Sequence, residues 1–142
     1  MLIEISRPDG GVSILEVKGG AENVQKAVDK WSAVRGAALS HREIAATDIP
    51  DRTFRDAWVP GLAVDMPKAR TIHMDRIRAK RNKELDRLDK EHTKESGRGR
   101  KVQADAIEAK RETLRNIPAT FDLSGASTPE ELAALWPADV PK

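Results

Sequence analysis

Histidines and carboxylates are the residues of this chain whose side chains suit catalysis or metal binding. The three histidines are His41, His73 and His92, and none pairs with another at the i,i+4 spacing of a helical metal site. The chain contains no cysteine, phosphate-binding glycine loop or nucleophile elbow. Among the many acids, no carboxylate pair is distinguished by its spacing. The sequence therefore predicts a protein that is not an enzyme and holds neither metal nor cofactor.

A run of basic residues near the middle of the chain is the next candidate for chemistry. It contains no acid and consists of Arg76, Arg78, Lys80, Arg81 and Lys83. Such a run suits contact with phosphate groups. At helical spacing, however, the five side chains do not share one face, and acids return from Glu84 onwards. A solvated helix surface is the simpler interpretation, and nucleic-acid binding is the alternative.

Aromatic residues form the third group of candidates. Phe54 and Trp58 lie four residues apart in a predicted short helix, which places them on one face. Trp136 lies on the apolar face of a predicted C-terminal helix. Such side chains anchor small elements onto a core, or they mark an interface with a partner. We therefore treat Phe54, Trp58 and Trp136, together with the basic run, as candidate interface residues.

The basic run lies in a predicted helical hairpin over residues 65–118. Apolar residues recur at steps of three and four on both sides of a turn at Gly97 and Gly99, which predicts two long antiparallel helices. Asp65 is placed to cap the first helix and Pro118 to end the second. In the predicted register Leu88 lies opposite Ile107.

Smaller elements flank this hairpin. Residues 1–50 predict a β-β-α-β unit, with strands near 2–5, 12–17 and 38–45 and a helix that Gly36 ends. Residues 51–64 form a junction that contains the short helix. Residues 119–142 predict a loop and a short helix with a capping box at Thr128 and Glu131. The expected fold class is α+β.

The charge of the chain is unevenly distributed. The net charge is only +2, but residues 68–115 hold 16 basic and 9 acidic residues, a net +7. The remainder holds 9 basic and 14 acidic residues, a net −5. No apolar run approaches the roughly 20 residues that span a bilayer, so no membrane partner is expected. The asymmetry favours an acidic partner, a contact between chains or a contact within the chain.

Several motifs from Arg52 to Trp136 resemble a known group of proteins. They are R-T-F-R-D-A-W, D-M-P-K-A-R-T-I-H-M-D-R-I-R-A-K-R, L-R-N-I-P and T-P-E-E-L. This set is similar to small accessory proteins from the structural gene clusters of tailed bacteriophages, some of which are similar to tail or tail-fibre assembly proteins. The motifs contain no catalytic residue, and residues 1–50 lie outside the resemblance.

The resemblance implies a setting in the phage particle or in the host cytoplasm during assembly. We therefore expect a non-enzymatic structural or assembly protein that binds other phage proteins, and we also expect it to bind itself as an oligomer. The alternative is a small regulator that binds nucleic acid or inhibits a target through the basic hairpin. A contiguous positive face on the hairpin would favour nucleic acid, and a mixed face with an apolar seam would favour protein.

Overall fold

The computed structural model describes all 142 residues and has the expected α+β architecture. A three-stranded sheet lies near the N-terminus, and a pair of long helices and a short C-terminal helix follow. The chain divides into two compact units, Met1–Ala69 and Arg70–Lys142. The residues predicted as a junction, 51–64, belong to the first unit.

The first unit is built on an antiparallel sheet that confirms the predicted β-β-α-β order. Strands β1 (Leu2–Ser6) and β2 (Val12–Glu16) form a hairpin, helix α1 (Val24–Arg35) follows, and strand β3 (Ser40–Ile44) pairs with β1. The spatial order is β2-β1-β3, so β1 is central and both β2 and β3 are edge strands. Gly36 ends α1 with a φ of 95°, which glycine adopts without a Cβ clash.

Alternating side chains bury both faces of this sheet. On one face Ile3, Ile5 and Val17 pack against Val28 of α1. On the other face Val12 and Ile44 pack with Trp58 and Leu62, which belong to a later segment of the chain. Because successive strand residues point to opposite faces, one short strand supplies side chains to both clusters.

The segment on the second face has little regular structure of its own. It contains 3₁₀ turns at Ala46–Asp48 and Arg52–Ala57, and the two-residue strands β4 (Trp58–Val59) and β5 (Ala63–Val64). Trp58 therefore begins a strand, and the prediction that it shares a helical face with Phe54 was wrong. Phe54 itself departs from helical geometry, with φ −116° and ψ 35°.

A buried carboxylate joins this segment to the sheet. Glu4 of β1 is 2% exposed and accepts hydrogen bonds from Nε of Arg42 and from the Gly61 amide, both at 2.7 Å. Arg42 lies directly opposite Glu4 on β3. A buried charge is tolerated only when it is paired and hydrogen-bonded, and Glu4 satisfies both conditions.

We expect Glu4→Gln to lower the free energy of unfolding by about 1–3 kcal/mol, because the neutral amide weakens two charge-assisted hydrogen bonds in a buried site. Chemical denaturation measures this loss, and faster hydrogen exchange of the Gly61 amide locates it. Glu43→Gln is the matched control, since Glu43 is exposed on β3. Equal stability of the two variants would contradict the role assigned to Glu4.

The hairpin consists of helices α2 (Met66–Gly97) and α3 (Lys101–Thr120). The Asp65 carboxylate accepts from the Lys68 amide at 3.0 Å, which confirms the predicted cap. At the turn, the Arg100 amide donates to Glu95 O and the Gly99 amide to Ser96 O, each at 3.0 Å. This is a Schellman motif, and it requires the left-handed φ of 70° at Gly99.

The end of the second helix differs from the prediction. Helix α3 continues through Pro118 to Thr120, so proline lies inside the last turn and the following loop begins at Phe121. The C-terminal helix α4 (Pro129–Ala134) has the predicted capping box, in which Thr128 and Glu131 bond each other's backbone.

The buried residues of the two helices include those predicted for the seam. Leu88 is 2% exposed and Ile107 is 7% exposed. An ion pair of 2.6 Å between Asp89 and Arg111 crosses from α2 to α3, and Leu88 and Leu114 line one cavity between the helices. These contacts confirm the hairpin, while the pairing of Leu88 with Ile107 stays a prediction.

We expect Leu88→Ala to lower the free energy of unfolding by about 2–4 kcal/mol, because it removes buried methyl groups and leaves a cavity. Chemical denaturation of the whole chain tests this value. Val102→Ala is the control, since Val102 is 78% exposed at the start of α3. Equal effects of both substitutions would show that Leu88 is not enclosed in the isolated chain.

Candidate functional site

A line of basic side chains runs along one flank of α2. Its members recur at alternating steps of four and three residues, and all are exposed: Arg76, Lys80, Lys83, Arg87, Lys90 and Lys94. At 3.6 residues per turn they fall within an arc of roughly 80° and span about 27 Å along the helix. We call this set the basic stripe.

Only part of the predicted basic run belongs to this stripe. Arg76, Lys80 and Lys83 lie in it, whereas Arg78 and Arg81 project from the opposite side of the helix. Arg78 pairs with Asp75 at 2.8 Å, and Arg81 donates to the Asn82 side chain. The five residues of the basic run therefore do not share one helix face, as predicted.

The longer stripe was missed because acids interrupt the sequence after Lys83. Those acids lie beside the stripe or behind it, and this separation appears only when the 3.6-residue period is followed over five turns. The ammonium groups of four stripe lysines form no ion pair within the chain: Lys80, Lys83, Lys90 and Lys94. The stripe thus presents unneutralised positive charge.

Arg87 is a stripe residue that forms ion pairs with carboxylates of its own helix. It bonds Glu84 at 2.7 Å and Glu91 at 2.8 Å. The hydrogen bond from Arg87 lowers the pKa of the Glu84 carboxyl, so this pair persists at neutral pH and is lost as pH falls through that lowered value. Exposed pairs of this kind contribute little stability, and their effect here is to border the stripe with negative charge.

The arginines of α3 are tied to acids more completely. Arg111 bonds Asp89 and Glu108, and Arg115 bonds Glu108 at 2.8 Å. The hydrogen bond from Arg115 is the main cause of the lowered pKa of Glu108. Lys101 and Lys110 are the basic residues of α3 without an ion pair, and more lysines of this kind lie on α2.

A second basic surface lies in the first unit and was not predicted. Arginines distant in sequence line one cavity of about 310 Å³: Arg7, Arg35, Arg52 and Arg55. Asp56 is the one acid in its lining. The turn between β1 and β2, the end of α1 and the 3₁₀ turn supply these residues. No local sequence signal marks them, because the fold alone brings them together.

The predicted aromatic candidates of the first unit lie inside the folded chain. Phe54 is 1% exposed and Trp58 is 5% exposed. Trp58 packs with Val12, Ile44 and Leu62. Side chains enclosed to this degree do not meet a partner unless the chain opens, so Trp58 acts as an anchor on the sheet.

Trp136 lies beyond the end of α4, so the prediction that it belongs to the apolar face of that helix was wrong. It instead anchors the C-terminal segment within the second unit. Its ring meets the buried His73 ring edge-on with centroids 5.7 Å apart, and its indole N–H donates to Val140 O at 2.7 Å. Nε2 of His73 lies 2.7 Å from Leu135 O. These contacts hold residues 135–140 against α2. The His73 side chain is therefore one of the groups that hold this segment in place.

We expect Trp136→Phe to lower the free energy of unfolding by about 1 kcal/mol, because the phenyl ring keeps the aromatic contact and loses the hydrogen bond to Val140. Hydrogen exchange of residues 129–140 should accelerate while that of β1–β3 stays unchanged. Trp136→Ala should release the segment further. An unchanged exchange rate in both variants would show that Trp136 does not anchor the C-terminus.

Comparison with protein-family models, with curated proteins and with solved structures gave no significant match. None of the helices combines the length and apolar character of a membrane span. The basic stripe and the arginine-lined cavity are two basic surfaces of the chain.

Proposed function

We propose that the chain is a non-enzymatic bacteriophage structural or assembly protein, and that the basic stripe of α2 binds an acidic helix of another phage protein. The stripe is the observation that carries this proposal. The phage setting rests on the resemblance of the motifs between Arg52 and Trp136. Those motifs contain no catalytic residue, which agrees with a role in binding.

The shape of the stripe supports a helical partner. Alternating steps of four and three keep side chains on one line, which is the spacing that faces a second helix along its length. The stripe is one side chain wide and is bordered by Glu84 and Glu91. A partner helix with acids at the same spacing would neutralise the stripe and stay clear of those borders.

The lysines of the stripe support binding to a surface that is acidic over a similar length. Lys80, Lys83 and Lys90 have no acid of their own chain to leave when a partner arrives. Their contribution would be steering and register. Exposed Ala79 lies beside the stripe and leaves room for a close approach.

Nucleic-acid binding is the second candidate, and the same stripe favours it. Six cations along about 27 Å resemble a track for a phosphate backbone, and the hairpin has little exposed apolar surface, with Val102 as its one exposed large hydrophobic residue. Against this candidate, carboxylates border the stripe, and a duplex presents phosphates over a wider surface than one line of lysines.

Cross-linking in assembling particles tests the proposal. A carbodiimide joins lysine amines directly to carboxylates. In purified particles or assembly intermediates, we expect Lys80, Lys83 and Lys90 to be joined to one segment of a second phage protein, with its acids at steps of three and four. Absence of the chain from both preparations, or links within this chain alone, would overturn the proposal.

A stripe variant with glutamine at Lys80, Lys83 and Lys90 should weaken that partner's binding roughly tenfold, since three exposed charge pairs together contribute about one power of ten. The matched control carries glutamine at Lys26, Lys30 and Lys101, which are exposed and lie outside the stripe. Equal affinity of the two variants would place the contact elsewhere on the chain.

Titration with duplex DNA at two salt concentrations, beside sedimentation of the protein alone, separates the two candidates. We expect weak binding without sequence preference. Binding to phosphates would instead weaken with a log–log slope near −0.9 per contact, or about −5 for six contacts. Submicromolar affinity with such a slope, from a monomeric protein and lost in the stripe variant, would establish the second candidate.

A further inference from the structure

Strand β2 has an open edge in the first unit. Two pairs mark the hydrogen-bonded positions of the β1–β2 ladder, since the Arg7 amide donates to Gly11 O and the Val17 amide to Met1 O, each at 2.9 Å. Such positions alternate along an antiparallel pair. Val12, Ile14 and Glu16 alternate with the hydrogen-bonded positions of β2, so their amides and carbonyls point away from β1. They form an unpaired row on the outer edge of the sheet.

The arginine-lined cavity lies along this edge. Its lining includes three consecutive residues of β2, Val12–Ile14. It also includes Trp31 of α1, which covers one face of the sheet, and Trp58, which covers the other face. Because the cavity touches β2 and the elements on both faces of the sheet, it opens along the free edge of β2.

Positive charge surrounds the edge on both sides. Arg35 extends from the α1 side, and Arg52 and Arg55 come from the 3₁₀ turn on the other side. Arg7 lies at the start of β2, and its guanidinium occupies the space that a side chain at Gly11 would fill. Asp56 and Asp9 offset only part of this charge: Arg55 approaches Asp56 to 3.8 Å and Arg7 approaches Asp9 to 3.2 Å.

We propose that the open edge of β2 binds an extended acidic segment of a partner polypeptide as a fourth strand of the sheet. Backbone hydrogen bonds to Val12 and Ile14 would fix the strand, and the arginines would bind its carboxylates. This site is separate from the basic stripe and does not depend on the function proposed for it.

The arrangement of the arginines specifies the segment further. Side chains of a bound strand alternate between the two faces of the sheet, so two adjacent acids would point to opposite sides. One would meet Arg35 and the other would meet Arg52 or Arg55. The fitting sequence is therefore a pair of neighbouring acids within an extended, β-branched stretch.

Trp58 is enclosed in the cavity wall and is 5% exposed. It therefore shapes the wall, while the free backbone edge of β2 and the arginines make the contacts with the bound strand. A second copy of β2 is a poorer occupant, because edge pairing between copies would place like-charged arginines side by side.

Fluorescence polarisation with a labelled peptide tests the site on the whole chain. The probe holds two adjacent glutamates between valines in an otherwise neutral sequence. One control peptide replaces both glutamates with glutamine. A second control keeps the glutamates and carries N-methyl groups on alternate backbone nitrogens, placed in each of the two registers, which removes the donors that strand pairing needs.

The protein variant is Arg35→Gln with Arg52→Gln, and its control is Lys18→Gln with Lys30→Gln, which removes equal charge from the same unit. All four side chains are exposed and form no ion pair, so we expect both variants to fold. We expect the arginine variant to bind the probe about tenfold more weakly, since two accessible charge pairs contribute roughly one power of ten. The control variant should bind like the unchanged chain.

Hydrogen exchange locates the bound strand. The amides of Val12 and Ile14 should exchange rapidly in the free protein and slowly with the probe. The proposal would be overturned if both N-methylated peptides bound as tightly as the probe. Unchanged exchange at Val12 and Ile14, or equal affinity of the two protein variants, would also overturn it. Slow exchange at these amides in a peptide-free dimer would also overturn it, because the edge would then join two copies.

Discussion

The buried Glu4 carboxylate is the contact on which the first unit depends. A three-stranded sheet has two faces to cover and too few residues to cover both with regular elements. Helix α1 covers one face. The other is covered by a segment of 3₁₀ turns and two-residue strands, which lacks a long element of its own to hold it in place. Bonds from Glu4 to Arg42 and Gly61 join that segment to the central strand.

This constraint extends to the backbone near Gly61. Leu62 has a φ of 58°, a left-handed conformation that costs a residue with a Cβ about 1 kcal/mol. Its side chain is buried beside Trp58, and the Gly61 amide before it is bound to Glu4. Burial and the ionic hydrogen bond offset the strain. They also place Trp58 next to β2 and thereby form one wall of the arginine-lined cavity.

The two basic surfaces arise from different levels of structure. The basic stripe follows from helical periodicity alone, because every member lies on one helix. The arginine-lined cavity combines a turn, a helix end and a 3₁₀ segment, which only the fold of the first unit brings together. Most arginines of the hairpin are bound by neighbouring acids, whereas the stripe lysines and the cavity arginines Arg35 and Arg52 have no ion pair. Unneutralised charge of this kind is available to an acidic partner.

The sequence by itself determined the elements with strong local signals. Apolar periodicity specified the two long helices, Gly99 specified their turn, and the capping box at Thr128 specified α4, because each is set by residues close in the chain. The stripe was also present in the sequence, although intervening acids obscured it. Pro118 was misleading, because α3 includes it in its last turn and continues to Thr120.

Only the tertiary structure decided which distant residues meet. The register that places Arg42 opposite Glu4, the departure of Trp58 from the predicted helix and the gathering of four arginines beside β2 depend on contacts between residues far apart in the chain. The burial of individual side chains also depends on contacts between residues far apart in the chain. Phe54 and Trp58 carried no local mark that separates an anchor from an exposed contact, because the packing of the whole first unit decides which aromatic side chains are enclosed.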